Sequence, residues 1–113
     1  MQLCIIVEDS QKIVQLDPAL IDNASQILEQ MDRDMDSGWQ FGRRYLDCPG
    51  VMERCQIAAD RILTALHNDN EATVSLMTAY ILTRLPEAGA VSIDTTGEPE
   101  NTMFYDRSDR AMQ

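Results

Sequence analysis

Three aspartates at alternate positions, Asp32, Asp34 and Asp36, make a D-x-D-x-D pattern of the kind that opens a calcium loop. Such a loop needs glycine at its sixth position and a bidentate glutamate at its twelfth. Counted from Asp32, those places hold Ser37 and Arg43, so a cation stands where the ion requires an anion. Residues two apart on a helix also point about 200° from one another, so the carboxylates diverge. The pattern reads as the acidic surface of a helix, and no metal is expected.

Soft ligands are few: Cys4, Cys48, Cys55 and the single histidine, His67. Three of them fall short of a closed zinc site. Cys55 and His67 share one predicted helix, roughly 18 Å apart along its axis, so one ion cannot reach both. The same distance defeats a Cys55–His67 nucleophilic pair, which leaves only one in which Cys4 or Cys48 folds back onto His67. Cys55 lies within an apolar face and reads as a buried, inert thiol, while His67 sits in the last helical turn, where a cation suits the dipole. There is no glycine-rich phosphate loop, no G-x-S-x-G, no H-E-x-x-H and no E-x-x-H pair. No nucleophile comes with a base, no cofactor is implied, and the reading leans away from an enzyme.

The run Ile5-Ile6-Val7-Glu8-Asp9-Ser10 resembles the opening of a response-regulator receiver domain, where a hydrophobic strand ends in an acidic pair that helps bind magnesium. That family also needs a phospho-acceptor aspartate after a third strand and a late lysine. Here residues 51–66 read as helix and no lysine follows Lys12, so the likeness ends with these six residues.

Recognition offers more than catalysis. Trp39, Phe41, Arg43, Arg44 and Tyr45 gather the only tryptophan, two further aromatics and two adjacent arginines within seven residues. Tryptophan, tyrosine and arginine dominate interface hot spots, which makes this segment a candidate docking patch. The plainer alternative is that Trp39 plugs the core while the arginines neutralise Asp32, Asp34 and Asp36. A second candidate is the helix expected from Glu71 to Leu85, which has no charge between Glu71 and Arg84. Its larger side chains form one face. Ala72, Ser75, Ala79 and Thr83, with Leu82 beside them, form another that suits close approach of a second copy. Either this helix is central in the domain, or its small face is a two-fold dimer interface; the latter is the expectation.

The chain of 113 residues carries 9 basic and 19 acidic side chains, a net charge of −10, with one lysine. That balance excludes a nucleic-acid backbone binder, which needs a cationic face. The charge is uneven: residues 1–36 hold 2 basic and 8 acidic groups, against 5 and 5 in residues 37–86 and 2 and 6 beyond. A solvated acidic surface accounts for this, and a docking face for a basic partner is the sharper reading. The first residues lack the basic start and long apolar core of a secretory signal. The longest uncharged stretch, residues 72–83, is too short for a membrane span. With an odd number of cysteines, the expected setting is a reducing cytoplasm, with no membrane partner.

The elements that would position these groups follow from periodicity. Residues 3–7 and 12–16, β-branched and separated by a polar turn, predict an N-terminal hairpin. Asp17-Pro18 starts a helix, along which Leu20, Ala24, Ile27, Leu28, Met31 and Met35 recur at spacings of three and four. It either runs on to about Leu46 or breaks near Ser37-Gly38. A second helix begins after Asp47-Cys48-Pro49-Gly50, and the third stops at Pro86. Val91 and Ile93 alternate with polar residues, and residues 102–105 suggest a returning strand. The expected fold is α+β and mostly helical: an N-terminal β-hairpin, three helices (four if the first breaks) packed as a small bundle, and a C-terminal strand or hairpin. Residues 1–105 form one domain, and 106–113 read as a frayed tail. The function expected is a small acidic, non-catalytic interaction, assembly or regulatory module that forms a homodimer. The alternative is a small-molecule-binding domain with an apolar pocket between helices, lined by methionine and cysteine.

Overall fold

The computed structural model describes residues 1–112. Alternating side chains in Gln2–Val7 (β1) and Ser10–Gln15 (β2) make the expected hairpin, antiparallel with Leu3 opposite Val14 and Cys4 opposite Ile13. The strand Ala88–Ser92 (β5) then lies parallel to β1, and Met103–Asp106 (β6) runs antiparallel to β5. The sheet order is β2-β1-β5-β6. Two-residue periodicity sorts the side chains between its faces. Leu3, Ile5, Val14, Val91 and Phe104 are buried in the core. The opposite face carries Gln2, Cys4 and Ile6 of β1, Gln11, Ile13 and Gln15 of β2, Ala90 and Ser92 of β5, and Met103 and Tyr105 of β6. None of these ten is buried.

The first helical stretch is two helices. Pro18–Asn23 (α1) is capped by the Asp17 carboxylate, which accepts from the Ala19 N–H at 2.9 Å. Ser25–Asp36 (α2) follows after Ala24, whose ψ of −2° departs from helical geometry. Ala24, Leu28, Met31 and Met35 of the expected stripe are buried, but Leu20 and Ile27 are 40% and 54% exposed. That is a correction to the sequence reading, and the kink at Ala24 lies between them.

Helix α2 does break at Ser37-Gly38, and the next residues are not helical. Trp39–Phe41 (β3) and Arg44–Leu46 (β4) form a separate two-stranded hairpin. Gly42 (φ +62°) holds the first central position of its two-residue turn, where the left-handed region favours glycine. Gly38 (φ +115°) turns the chain out of α2, and Tyr45 lies so close that a Cβ at Gly38 would meet its ring and hydroxyl. Aromatic residues suit a pleated strand, and Gly38 before the segment and Gly42 in its turn weigh against a helix.

Val51–His67 (α3) starts at Gly50, whose N–H donates to the Glu53 carboxylate at 2.9 Å. Glu71–Arg84 (α4) starts at Asn70, whose side chain accepts from the Thr73 N–H at 3.1 Å. Helices α3 and α4 pack against one another, burying Cys55, Ala58, Ala59 and Ile62 from one, and Val74, Met77, Ala79 and Leu82 from the other, with Tyr80 and Ile81. A short 3-10 turn at Pro99–Asn101 is tied to α3 by the buried Gln56 amide, which donates to the carbonyls of Thr102 (3.0 Å) and Glu100 (3.4 Å). The architecture is therefore α+β with strands at both ends, and the β1–β5 pairing joins them.

After β6, where fraying is expected, the described residues turn back. The Asp106 carboxylate accepts from the N–H groups of Ser108 and Arg110, Ala111 bridges to Tyr105, and the Met112 N–H donates to the Phe104 carbonyl at 2.9 Å. This turn covers the outer edge of β6; among the described residues, no strand lies beside the outer edge of β2.

Candidate functional site

The aspartate triplet is where polar side chains converge, and the structure uses it for ion pairing. Asp32, 29% exposed at its side chain, accepts from the Tyr80 hydroxyl at 2.5 Å, from Arg54 at 3.2 Å, and from Arg84 through two nitrogens. Arg54 also donates to Asp36 at 2.7 Å, to the Asp32 carbonyl at 3.1 Å and to the Pro49 carbonyl at 2.8 Å. Arg84 stacks over the Tyr80 ring at 4.7 Å. The cluster clamps α2, α3, α4 and the turn before α3 together. Asp34 is outside it, bonded to Gln30 at 2.8 Å. Among the described residues, no three or more metal-ligating side chains are grouped to hold an ion.

The electrostatics of this cluster are those of a locked ion network. Burial pulls the Asp32 carboxyl up, but hydrogen bonds from Tyr80, Arg84 and Arg54 outweigh it and hold the group below its ordinary value. Burial and the bond to Asp32 push the Tyr80 hydroxyl up. Burial also raises the Cys55 thiol to about 12, with Arg84 opposing and Asp32 adding to the shift. Cys55 is fully buried and protonated at neutral pH, so it offers no thiolate. The partners of the aspartates are Arg54 and Arg84, where sequence reading pointed to Arg43 and Arg44. The available signal was Arg84 itself, the one charge on α4 after Glu71.

The aromatic segment is divided between inside and outside. Phe41 is buried at 1% exposure, and Trp39 is half-buried against Met31, Met35, Ile57 and Arg61. Arg43, Arg44 and Tyr45 face solvent; Arg44 lies 5.5 Å over the Phe41 ring, and the Tyr45 hydroxyl donates to the Ser37 carbonyl at 3.3 Å. The cavity beside Trp39 has a volume near 20 Å³, room for about one water molecule. This methionine-lined cavity is too small for an organic ligand, while a larger, open and more polar cleft of about 450 Å³ lies beside Met31, Arg33 and Arg61.

The small face of α4 is likewise divided. Ala79 and Leu82 are buried in the protein's own core at 0% and 1% exposure, so a second copy cannot seat on them. This corrects the expected interface. Helix α4 packs against α3 and touches α1, and its small side chains let the helices approach closely. Thr83 is half-buried, its hydroxyl donating to the Tyr80 carbonyl at 2.9 Å.

Ala72 and Ser75 stay accessible, and they form a groove with residues that periodicity had assigned to the core. Leu20, Ala24 and Ile27 from α1 and α2 face Ala72, Ser75 and Leu76 from α4 across an open cleft of about 550 Å³. Asn23 and Glu71 complete its walls. The apolar lining recurs at helical spacing on both sides, Leu20, Ala24 and Ile27 opposite Ala72, Ser75 and Leu76. No lysine or arginine occurs in residues 13–32 or 62–83, while Asp17, Asp22, Glu29, Asp69 and Glu71 do. Lys12 is engaged with Glu71 at 2.9 Å, and Arg33 and Arg61 line the neighbouring cleft that Ile27 also borders. The groove walls themselves are mostly apolar, with Glu71 their one charged residue.

Comparison of the chain with protein-family models, with curated proteins and with solved structures gives no match.

Proposed function

We propose that this protein is a non-catalytic interaction module that holds a basic amphipathic helix of another protein in the groove between α1–α2 and α4. The observation that carries this reading is the exposure of Leu20 and Ile27 beside Ala72, Ser75 and Leu76. Leu20 and Ile27 are core-type residues, a heptad apart, that the described residues leave partly uncovered. An amphipathic helix lays apolar residues into such a groove at intervals of three, four and seven. Asp17, Asp22, Glu29 and Asp69, on or beside the helices of the groove and in no ion pair among the described residues, favour a partner whose polar face is basic. The one-water volume beside Trp39 and the protonated, buried Cys55 support recognition over small-molecule handling or thiol chemistry.

No helix among the described residues is long and apolar enough to cross a membrane. The reading places the protein in the cytoplasm, supported by Cys4, Cys48 and Cys55 all being free thiols.

The test uses two labelled synthetic helices with one leucine pattern, one carrying lysine and the other glutamate on its polar face. The lysine helix should bind and the glutamate helix should not. Removing most of the buried area of Leu20 or Ile27 by substitution with serine should weaken binding by about 1–2 kcal/mol each. Ala72→Arg should abolish it by filling the groove and repelling the peptide. Equal anisotropy titrations for wild type and all three variants would show that the groove is not the site.

A further inference from the structure

We infer that the open face of the four-stranded sheet is an interface with a second copy of this chain, formed by stacking two sheets about a two-fold axis. The inference is independent of the helix groove and lies on the other side of the sheet. One quarter of the chain's residues are charged, yet none of the ten strand positions on this face is. The one lysine of β2 is on the helical side, where it reaches Glu71 of α4. A sheet face meant for water usually alternates charged and polar residues outward. Here Ile13, Cys4, Ala90 and Tyr105 stand in register across all four strands as one unbroken row.

Charge selects the occupant. Each copy carries −10, so two copies can approach closely only where acids are absent. The helical side, with Asp17, Asp22, Glu29 and Glu71, repels a second copy and suits a basic partner. The ten outward strand positions of the sheet face hold no acid for a basic partner to pair with, and the acids at its edge, Asp106 and Asp109, have Arg107 between them.

Shape agrees with self-association. Ile13, at 62% exposure the most exposed large hydrophobic side chain of the described residues, projects from one side of this face. Beside it lies a trough of about 440 Å³ floored by Cys4, Ile6 and Ala90 and walled by the turn after β6. Knob and trough on one surface are what a two-fold interface requires, because each copy supplies both halves of the match. Stacked sheets about 10 Å apart would seat each Ile13 in its partner's trough. Asp106, Arg107 and Asp109 in the trough wall supply charges of both signs at the edge, as in an apolar interface with a polar rim.

The experiment is light scattering and sedimentation of the full chain across the micromolar range, with Ile13→Glu and Gln11→Arg. The wild type should have twice the 12.8 kDa chain mass at high micromolar concentration, and both variants should fall to the single-chain mass. Ile13 is exposed, so Ile13→Glu should keep the wild-type circular dichroism; if it does not, Gln11→Arg on the same face carries the test alone. A wild type that stays at the single-chain mass throughout overturns the inference. So does a dimer that survives both substitutions, or one dissolved only by Ala72→Arg in the helix groove.

Discussion

Substituting Asp32 by asparagine keeps the size of the side chain and removes its charge. In the folded chain the Asp32 carboxylate accepts from Tyr80, Arg54 and Arg84, joining three helices. A hydrogen bond to a charged group contributes about 1.5–3 kcal/mol, and breaking a fully buried ion pair costs about 3–5 kcal/mol. Two features reduce those figures here. The side chain is 29% exposed, so solvent screens the pairs, and Arg54 retains Asp36 as a partner. The asparagine oxygen also still accepts one bond, while its amide opposes an arginine. Asp32→Asn should therefore destabilise the fold by about 2–3 kcal/mol at neutral pH. Against a total of roughly 6–17 kcal/mol for a chain of this length, that is a large fraction. Urea melts followed by circular dichroism at several pH values measure it. The folded-state carboxyl lies below its ordinary value, so its stabilisation is full above the unfolded value near 4 and is lost as pH falls through the folded value. The gap between wild type and Asp32→Asn should stay constant from pH 8 to about pH 5 and close in more acidic buffer. A gap below about 1 kcal/mol at pH 7, or one that persists unchanged into strong acid, would refute the ion-network account.

Gly38→Ala should cost about 1–2 kcal/mol, read from the shift in urea midpoint, because φ of +115° strains an L residue and Tyr45 must swing away. A thiol reagent should label exposed Cys48 quickly and leave Cys55 untouched until unfolding, because Cys55 is fully buried and its thiol sits at about 12; rapid native-state labelling of Cys55, mapped by mass spectrometry, would contradict this. Gln56→Ala should destabilise the protein by about 1–3 kcal/mol, since it takes the buried Gln56 amide from the Thr102 and Glu100 carbonyls and leaves a void beside α3. Faster amide exchange across residues 94–103 would locate the loss. Leu20→Ser and Ile27→Ser should change stability by less than about 0.5 kcal/mol in the free protein, because both side chains already face solvent there.

Local signals in the sequence determined where the helices begin and end. Asp17-Pro18, Asn70 and Pro86 mark helix boundaries through bonds within a few residues or a missing N–H, and the structure has those boundaries. Periodicity puts Val51, Cys55, Ala58, Ile62 and Ala65 on one face of α3 and Gln56 on the other; the last four of that face are buried, but Val51 is exposed and Gln56 is buried, while the hairpin at the start is present. What periodicity cannot encode is which neighbour arrives and how far it reaches. The stripe along residues 20–35 names apolar residues, but the kink at Ala24 and the placement of α4 left Leu20 and Ile27 uncovered, and so created the groove. The same placement buried Ala79 and Leu82 in the core of one chain. Trp39, Gly42 and Leu46 fit a helical spacing, yet strand pairing between Trp39 and Leu46 and two glycines in left-handed geometry made a hairpin there. Arg54 and Arg84 lie 22 and 52 residues from Asp32, and no local rule joins groups so distant along the chain. Such pairs, like the parallel contact of β1 with β5, depend on the packing of whole elements against a shared core, and only the tertiary structure decides them.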